Sequence, residues 1–305
     1  MTSRNSDTAA PTFKFSGHLM DLMLRPSFPQ DPRYLYSSRE LTQGTRTDIG
    51  EDRSKYYSDI GLTASELKTI DVLALLLHKE SQTTDPKAEN YYAGNVVPLI
   101  VNHYGHKERR VLYPALQTSY YDIAKEYSLH SVGGKTLKNV KSILRGLSNK
   151  KHLMKYKEVS QGSVEDIEAF APLITLADIN DRGNVKVILN PIFRSQISKK
   201  WITYPADLMR RTEEANGSSR IKEAVLIFRN YMLRAISGLK DSDRITIRRS
   251  SILNVIKGKF ISEGRQKRSQ QDLELAIEVA QRMGIIQDWQ EKDGKMIFRL
   301  NRRWV

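Results

Sequence analysis

Lys135, Lys138, Asn139, Lys141, Ser142 and Arg145 fall within eleven residues of chain. Lysine and arginine neutralise phosphates, and asparagine and serine can hydrogen-bond base edges. Leu137, Val140, Leu144 and Leu147 are interleaved with them at spacings of 3, 4 and 3. That period stacks the apolar residues on one face of a helix and turns the polar set outward. Gly133 and Gly134 precede the run. From Lys135 to Lys157 there are eight Lys/Arg and no Asp or Glu, so Lys150 and Lys151 continue the same charge. A solvated face of a basic protein also carries cations, but such a face usually mixes both signs. A single-sign helix points to a polyanion.

A second stretch has the same character. Between Arg244 and Arg268 there are eight Lys/Arg and one acid, Glu263. Arg265, Lys267 and Arg268 lead into Ser269-Gln-Gln-Asp272, which resembles a capping box. The helix that follows exposes Glu274 and Glu278, which phosphates repel. Base contact is therefore expected at its start, from Ser269, Gln270 and Gln271, since glutamine can read adenine through two hydrogen bonds. An ordinary first helical turn explains the two glutamines equally well. Lys292 and Lys295 flank an Asp293-Gly294 hairpin turn and extend the candidate DNA surface.

Patterns for other chemistry are weak. His103 and His106 are better explained by a solvent-exposed turn than by a metal site. Tyr120 and Tyr121 could be imagined as nicking nucleophiles. A nickase would also want two histidines two apart, and none of the six stands so. Glu165, Asp166 and Glu168 fit a solvated strand edge. There is no cysteine, no GxxxxGK[ST] and no GxGxxG. No catalytic residue, metal or cofactor is expected, and the chain does not read as an enzyme.

The elements that position the basic runs follow from periodicity. Thr63-Ala-Ser-Glu66 opens a buried helix with a capping box. Short strands are expected over 96–101 and 109–113, and Ser119 caps a helix over 120–127. The basic helix comes next, then strands from Leu153 to Val159 and from Ile167 to Leu176 around Gln161-Gly-Ser163. A further strand spans 185–189. The order then repeats: a helix from Ile221, a strand at Ile245–Ile247, a helix over 249–260, a helix from Ser269 to Met283 and a hairpin closed at Asp293-Gly294. Helix, strand, helix, helix and hairpin is the order of a winged helix-turn-helix. The expected fold is thus α+β and helix-rich, with two tandem winged helix-turn-helix domains over 33–190 and 191–305. Residues 1–32 form a flexible N-terminal segment, in which Phe13 to Leu24 could be a short docking helix.

The 305 residues carry a formal net charge of +14. This directs attention to nucleic acid or an anionic surface. No apolar run approaches a membrane span and the first twelve residues are polar, so a cytoplasmic protein is expected.

The two-unit plan without an ATPase motif resembles the replication initiator proteins of iteron-bearing plasmids. The resemblance spans about residues 35–305. It is carried by Leu62-Thr-Ala-Ser-Glu-Leu-Lys-Thr-Ile-Asp-Val-Leu, Tyr120-Tyr-Asp-Ile-Ala-Lys-Glu-Tyr with Lys135-Thr-Leu-Lys-Asn-Val, Asn190-Pro-Ile-Phe and Phe298-Arg-Leu-Asn301. The Leu-Tyr segment that often closes the first helix of that family's second unit is replaced by Phe228-Arg-Asn-Tyr-Met-Leu. The resemblance implies binding to direct repeats of double-stranded DNA at an origin, opening of adjacent AT-rich DNA and recruitment of the host initiator and helicase. It also implies a homodimer that binds an inverted-repeat operator and represses its own gene. A winged-helix transcriptional regulator without a replication role, a nicking enzyme and a protein-interaction module are the alternatives.

Overall fold

The computed structural model describes residues 12–24, 62–80, 96–102, 108–127, 132–160, 163–177, 180, 183–193, 201–239, 242–257 and 266–304. These residues form an α+β fold. The expected turn around His103 and His106, all but the first residue of the polar loop expected over 80–95, and residues 1–11 and 25–61 lie outside them.

Residues 12–24 are not a flexible segment, and Phe13 to Leu24 is not a single helix. Thr12–Ser16 is strand β1, and Gly17–Met23 is helix α1. The alternation of Phe13 and Phe15 has the period of a strand, which places both rings on one side. Both are buried, and their ring centroids lie 5.8 and 4.4 Å from that of Tyr204. Ser16 caps α1 by accepting from the Leu19 amide at 3.3 Å. The helix docks in cis, with Leu19, Met20, Leu22 and Met23 buried.

Helix α2 (Ala64–Lys79) starts at the expected capping box. Thr63 Oγ1 accepts from the Glu66 amide at 3.3 Å, and Glu66 Oε2 accepts from the Thr63 amide at 2.7 Å. Strands β2 (Val96–Asn102) and β3 (Glu108–Ser119) follow, then α3 (Tyr120–Tyr127) and α4 (Gly134–Asn149). Ser119 caps α3, accepting from the Asp122 amide at 3.0 Å. Strands β4 (Lys151–Ser160) and β5 (Ser163–Pro172) form an antiparallel hairpin. The strand expected over 167–176 is divided. It breaks after Pro172, which has no N–H for a ladder, at buried Leu173, whose carbonyl accepts from the Asn190 amide at 2.9 Å. Strand β6 (Ile174–Ala177) pairs instead with β7 (Asn184–Leu189), in a sheet ordered β2-β3-β7-β6.

A 3₁₀ turn at Pro191–Phe193 leads to the second half. Strand β8 (Trp201–Pro205) pairs antiparallel with β1. Helices α5 (Leu208–Asn216) and α6 (Glu223–Gly238), strand β9 (Arg244–Arg248), and helices α7 (Arg249–Lys257) and α8 (Gln266–Arg282) come next. Strands β10 (Ile286–Lys292) and β11 (Lys295–Leu300) close a sheet ordered β10-β11-β9. Asp293 and Gly294 both have positive φ, 51° and 68°. That is the mirror-image turn favoured by Asp-Gly, and it suits the twist of the flanking strands.

The two halves share one hydrophobic cluster. The N-terminal strand pairs with β8 of the second half in a two-stranded sheet, and α2 packs on α6. The expected boundary at 190/191 is therefore not a break in the core.

Candidate nucleic-acid interface

Helix α4 has the two faces that its spacing predicts. Val140, Leu144 and Leu147 are buried against the core, and Leu137 is half-buried. Lys135, Lys138, Asn139, Ser142 and Arg145 are exposed, and Lys141 is half-buried. Positions 135, 138, 142 and 145 advance by 3, 4 and 3, so they form one outward stripe. The sixteen residues make a rod about 24 Å long, and an α-helix of about 10–12 Å across matches the width of a major groove. No acid lies within the helix, so Lys135, Lys138 and Arg145 on its exposed stripe meet no opposing charge from the helix itself.

Lys150 does not belong to that surface. It ends α4, where its Nζ donates to Glu66 Oε1 and Oε2, both at 2.9 Å. Its side chain is 14% exposed. Glu66 is buried once it has capped α2, and it needs a cation close by. Lys150 supplies that charge and so fixes the end of the basic helix to the start of α2. Lys151 opens strand β4 directly after it.

In the second half, α8 begins at Gln266 rather than at Ser269. Ser269 is therefore not an exposed cap. It lies inside the first turns, 2% exposed, on the stripe with Asp272, Leu273, Ala276, Ile277 and Ala280. The capping-box pattern lost to the stronger demand of that apolar stripe. Asp272 holds Lys222 at 2.8 Å, tying α8 to the start of α6. Arg268, Gln270 and Gln271 remain exposed, and Lys267 lies in the first turn. Arg265 lies outside the described residues. Glu274 and Glu278 are exposed further along, and Glu278 pairs with Arg282. The positive end of α8 is thus its N-terminal end, which the helix dipole reinforces.

Lys292 and Lys295 are exposed on either side of the Asp293-Gly294 turn. Register adds three residues that the spacing did not single out. Arg248, Thr246 and Arg244 of β9 stand opposite Lys295, Ile297 and Arg299 of β11. Directly opposed residues share a face, and here that face is the one turned from the core, because Met296 and Phe298 alternate inward.

Among the described residues the two tyrosines considered for other chemistry are placed differently. Tyr120 is buried in the core, while Tyr121 is exposed beside it. Among the described residues no group of three His, Cys, Asp or Glu side chains could hold a metal ion. Among them, too, no helix is long and apolar enough to cross a membrane. No protein-family model matches the chain, and no curated protein or solved structure matches it either.

Proposed function

We propose that this chain is a sequence-specific double-stranded-DNA-binding protein with two winged-helix-type units, and that it initiates plasmid replication at repeated origin sites. The observation that carries the DNA reading is α4. Its apolar stripe is committed to the core, while Lys135, Lys138, Ser142 and Arg145 line a groove-sized outer face without one acid. The second half supports it with helix, strand, helix, helix and hairpin, and with a sheet ordered β10-β11-β9. In that reading α4 and the start of α8 each enter a major groove, and hairpins β4-β5 and β10-β11 act as wings. Two such contacts on one duplex would sit about 34–36 Å apart, one helical turn.

The replication role rests on the family resemblance. Direct repeats at an origin would bind the monomer, and an inverted repeat would bind a dimer that represses the gene. The host initiator and helicase would be recruited to the opened origin. A cytoplasmic, nucleoid-associated location follows from that role. A transcriptional regulator would use the same residues, and the test separates it.

Fluorescence anisotropy with duplex DNA from upstream of the chain's own gene, across a salt series, tests the DNA reading. The wild type is expected to prefer that DNA to a random duplex. Lys138→Ala/Lys141→Ala/Arg145→Ala is expected to weaken binding and to reduce the salt slope by about 0.9 for each lost phosphate contact. Equal binding to both duplexes, with no effect of the triple variant, would overturn it. Footprinting then separates the roles. Protection of several direct repeats, with loss of plasmid replication on deletion, supports initiation; a single protected promoter site with replication intact supports regulation alone.

A further inference from the structure

The outer face of the β9-β11-β10 sheet carries three cross-strand rows. At the turn end, Arg248, Lys295 and Lys292 stand side by side across β9, β11 and β10. Thr246, Ile297 and Gln290 form the middle row. Arg244, Arg299 and Asp288 form the far row. The rows differ in charge balance. In the far row Asp288 stands beside Arg299, and Arg299 also holds Asp243 at 2.7 Å. The turn-end row has three cations and no acid.

The acids that flank Lys292 along the chain are Glu291 and Asp293. Glu291 precedes Lys292 on β10 and is paired with Arg249, whose Nη1 donates to Glu291 Oε2 at 2.6 Å. The Arg249 amide donates to the Gly294 carbonyl at 3.0 Å, which clamps the start of α7 to the hairpin turn. One acid near the row is thereby neutralised, and the backbone carrying Arg248 is fixed beside Lys295. Asp293 occupies the turn itself, where its positive φ serves the turn. Ser250 and Ser251, both exposed at the start of α7, add hydroxyl donors beside Arg248.

We propose, on the DNA-binding reading above, that Arg248, Lys295 and Lys292 form a phosphate-backbone clamp, with Arg248 of β9 as a contact residue outside the hairpin. Strands lie about 4.7–4.9 Å apart, so three adjacent strands spread the row over about 10 Å. A row of that span can lie along consecutive phosphates of one DNA strand. Long cationic side chains can each follow one. The three cations are spread across the outer face of a sheet rather than along a helix seated in a groove, which suits them to the backbone. Their contribution is therefore affinity and register, independent of sequence.

The test is anisotropy across a salt series with two probes, duplex DNA from upstream of the chain's own gene and a duplex of random sequence. The proteins are wild type, Arg248→Gln and Arg248→Gln/Lys292→Gln/Lys295→Gln. All three positions are exposed, and circular dichroism checks that the fold is kept. The single variant is expected to weaken binding to both probes by the same factor and to reduce the salt slope by about 0.9. The triple variant is expected to reduce it by about 2.7, three times that contact slope. The ratio of the two affinities is expected to stay unchanged. Salt slopes equal to wild type in a folded triple variant would overturn the clamp while leaving the DNA reading intact. A loss confined to the upstream DNA would overturn it as well, because it would mean base reading. Failure of the wild type to bind either duplex at low salt would overturn the DNA reading and the clamp with it.

Discussion

Asp71 of α2 and Arg229 of α6 form a buried ion pair across the two halves of the chain, with side chains 4% and 1% exposed. The Arg229 guanidinium donates to Asp71 Oδ2, to Thr212 Oγ1 at 3.0 Å and to Asn230 Oδ1. Tyr204, beside the N-terminal strand, donates to the same Asn230 oxygen at 3.2 Å. Burial holds the Asp71 carboxyl above its ordinary range, against the pull of Arg229. For the charged carboxylate, desolvation thus outweighs what the pairing gives.

Arg229→Ala should therefore cost about 3–5 kcal/mol, since it strands a buried carboxylate. Asp71→Leu/Arg229→Met should be less damaging than the sum of the singles by about 1–3 kcal/mol, a coupling typical of contacting residues. Urea titrations of the wild type, Asp71→Leu, Arg229→Met and the double variant supply the cycle. Additive losses would mean the pair is not coupled. The shared core also predicts that fluorescence and circular dichroism report one coincident transition in the wild type.

Lys150 and Arg145 stand five residues apart on one basic run and should behave differently. Lys150→Ala removes the cation from buried Glu66 and should lower stability by about 1–3 kcal/mol without changing the salt slope of DNA binding. Arg145→Ala leaves an exposed helix position and should stay within about 0.5 kcal/mol in stability while reducing the slope. Chemical denaturation and anisotropy on both variants check this. A Lys150 variant that is fully stable but defective in DNA binding would return Lys150 to the interface.

Phe15 of β1 is buried and stacks on Tyr204. Its replacement by alanine should cost about 3–5 kcal/mol, the usual penalty for removing a fully buried ring. A loss below 1 kcal/mol, measured by the same denaturation, would show that strand β1 does not brace the core.

His78 stacks on Phe13 at the end of α2, with ring centroids 5.4 Å apart. Burial lowers its pKa below the ordinary 6.5, and the neighbouring Lys79 charge adds to the effect. The unfolded chain then takes up a proton as pH falls through 6.5, while the folded chain does not until lower pH. Stability should be level above about pH 7 and decline between 6.5 and the depressed folded value. His78→Gln should flatten that part of the profile. Thermal melts at pH 8, 6.5 and 5.5 on both proteins give the comparison, and parallel profiles would count against it.

Some of this molecule is fixed by short stretches of chain. The capping box of Thr63 with Glu66, the Ser119 cap and the Asp293-Gly294 turn are contacts between residues at most three apart, so local sequence decides them. The two faces of α4 follow from the spacing of Leu137, Val140, Leu144 and Leu147 in the same way. Tertiary structure decided the rest, because the partners come from distant parts of the chain. Phe13 found Tyr204, Glu66 drew Lys150 out of the basic surface, and Asp71 found Arg229. The demand for a continuous apolar stripe moved the start of α8 and buried Ser269. Strand register alone brought Arg248 beside Lys295, and no periodicity along one strand specifies the residue opposite it on another.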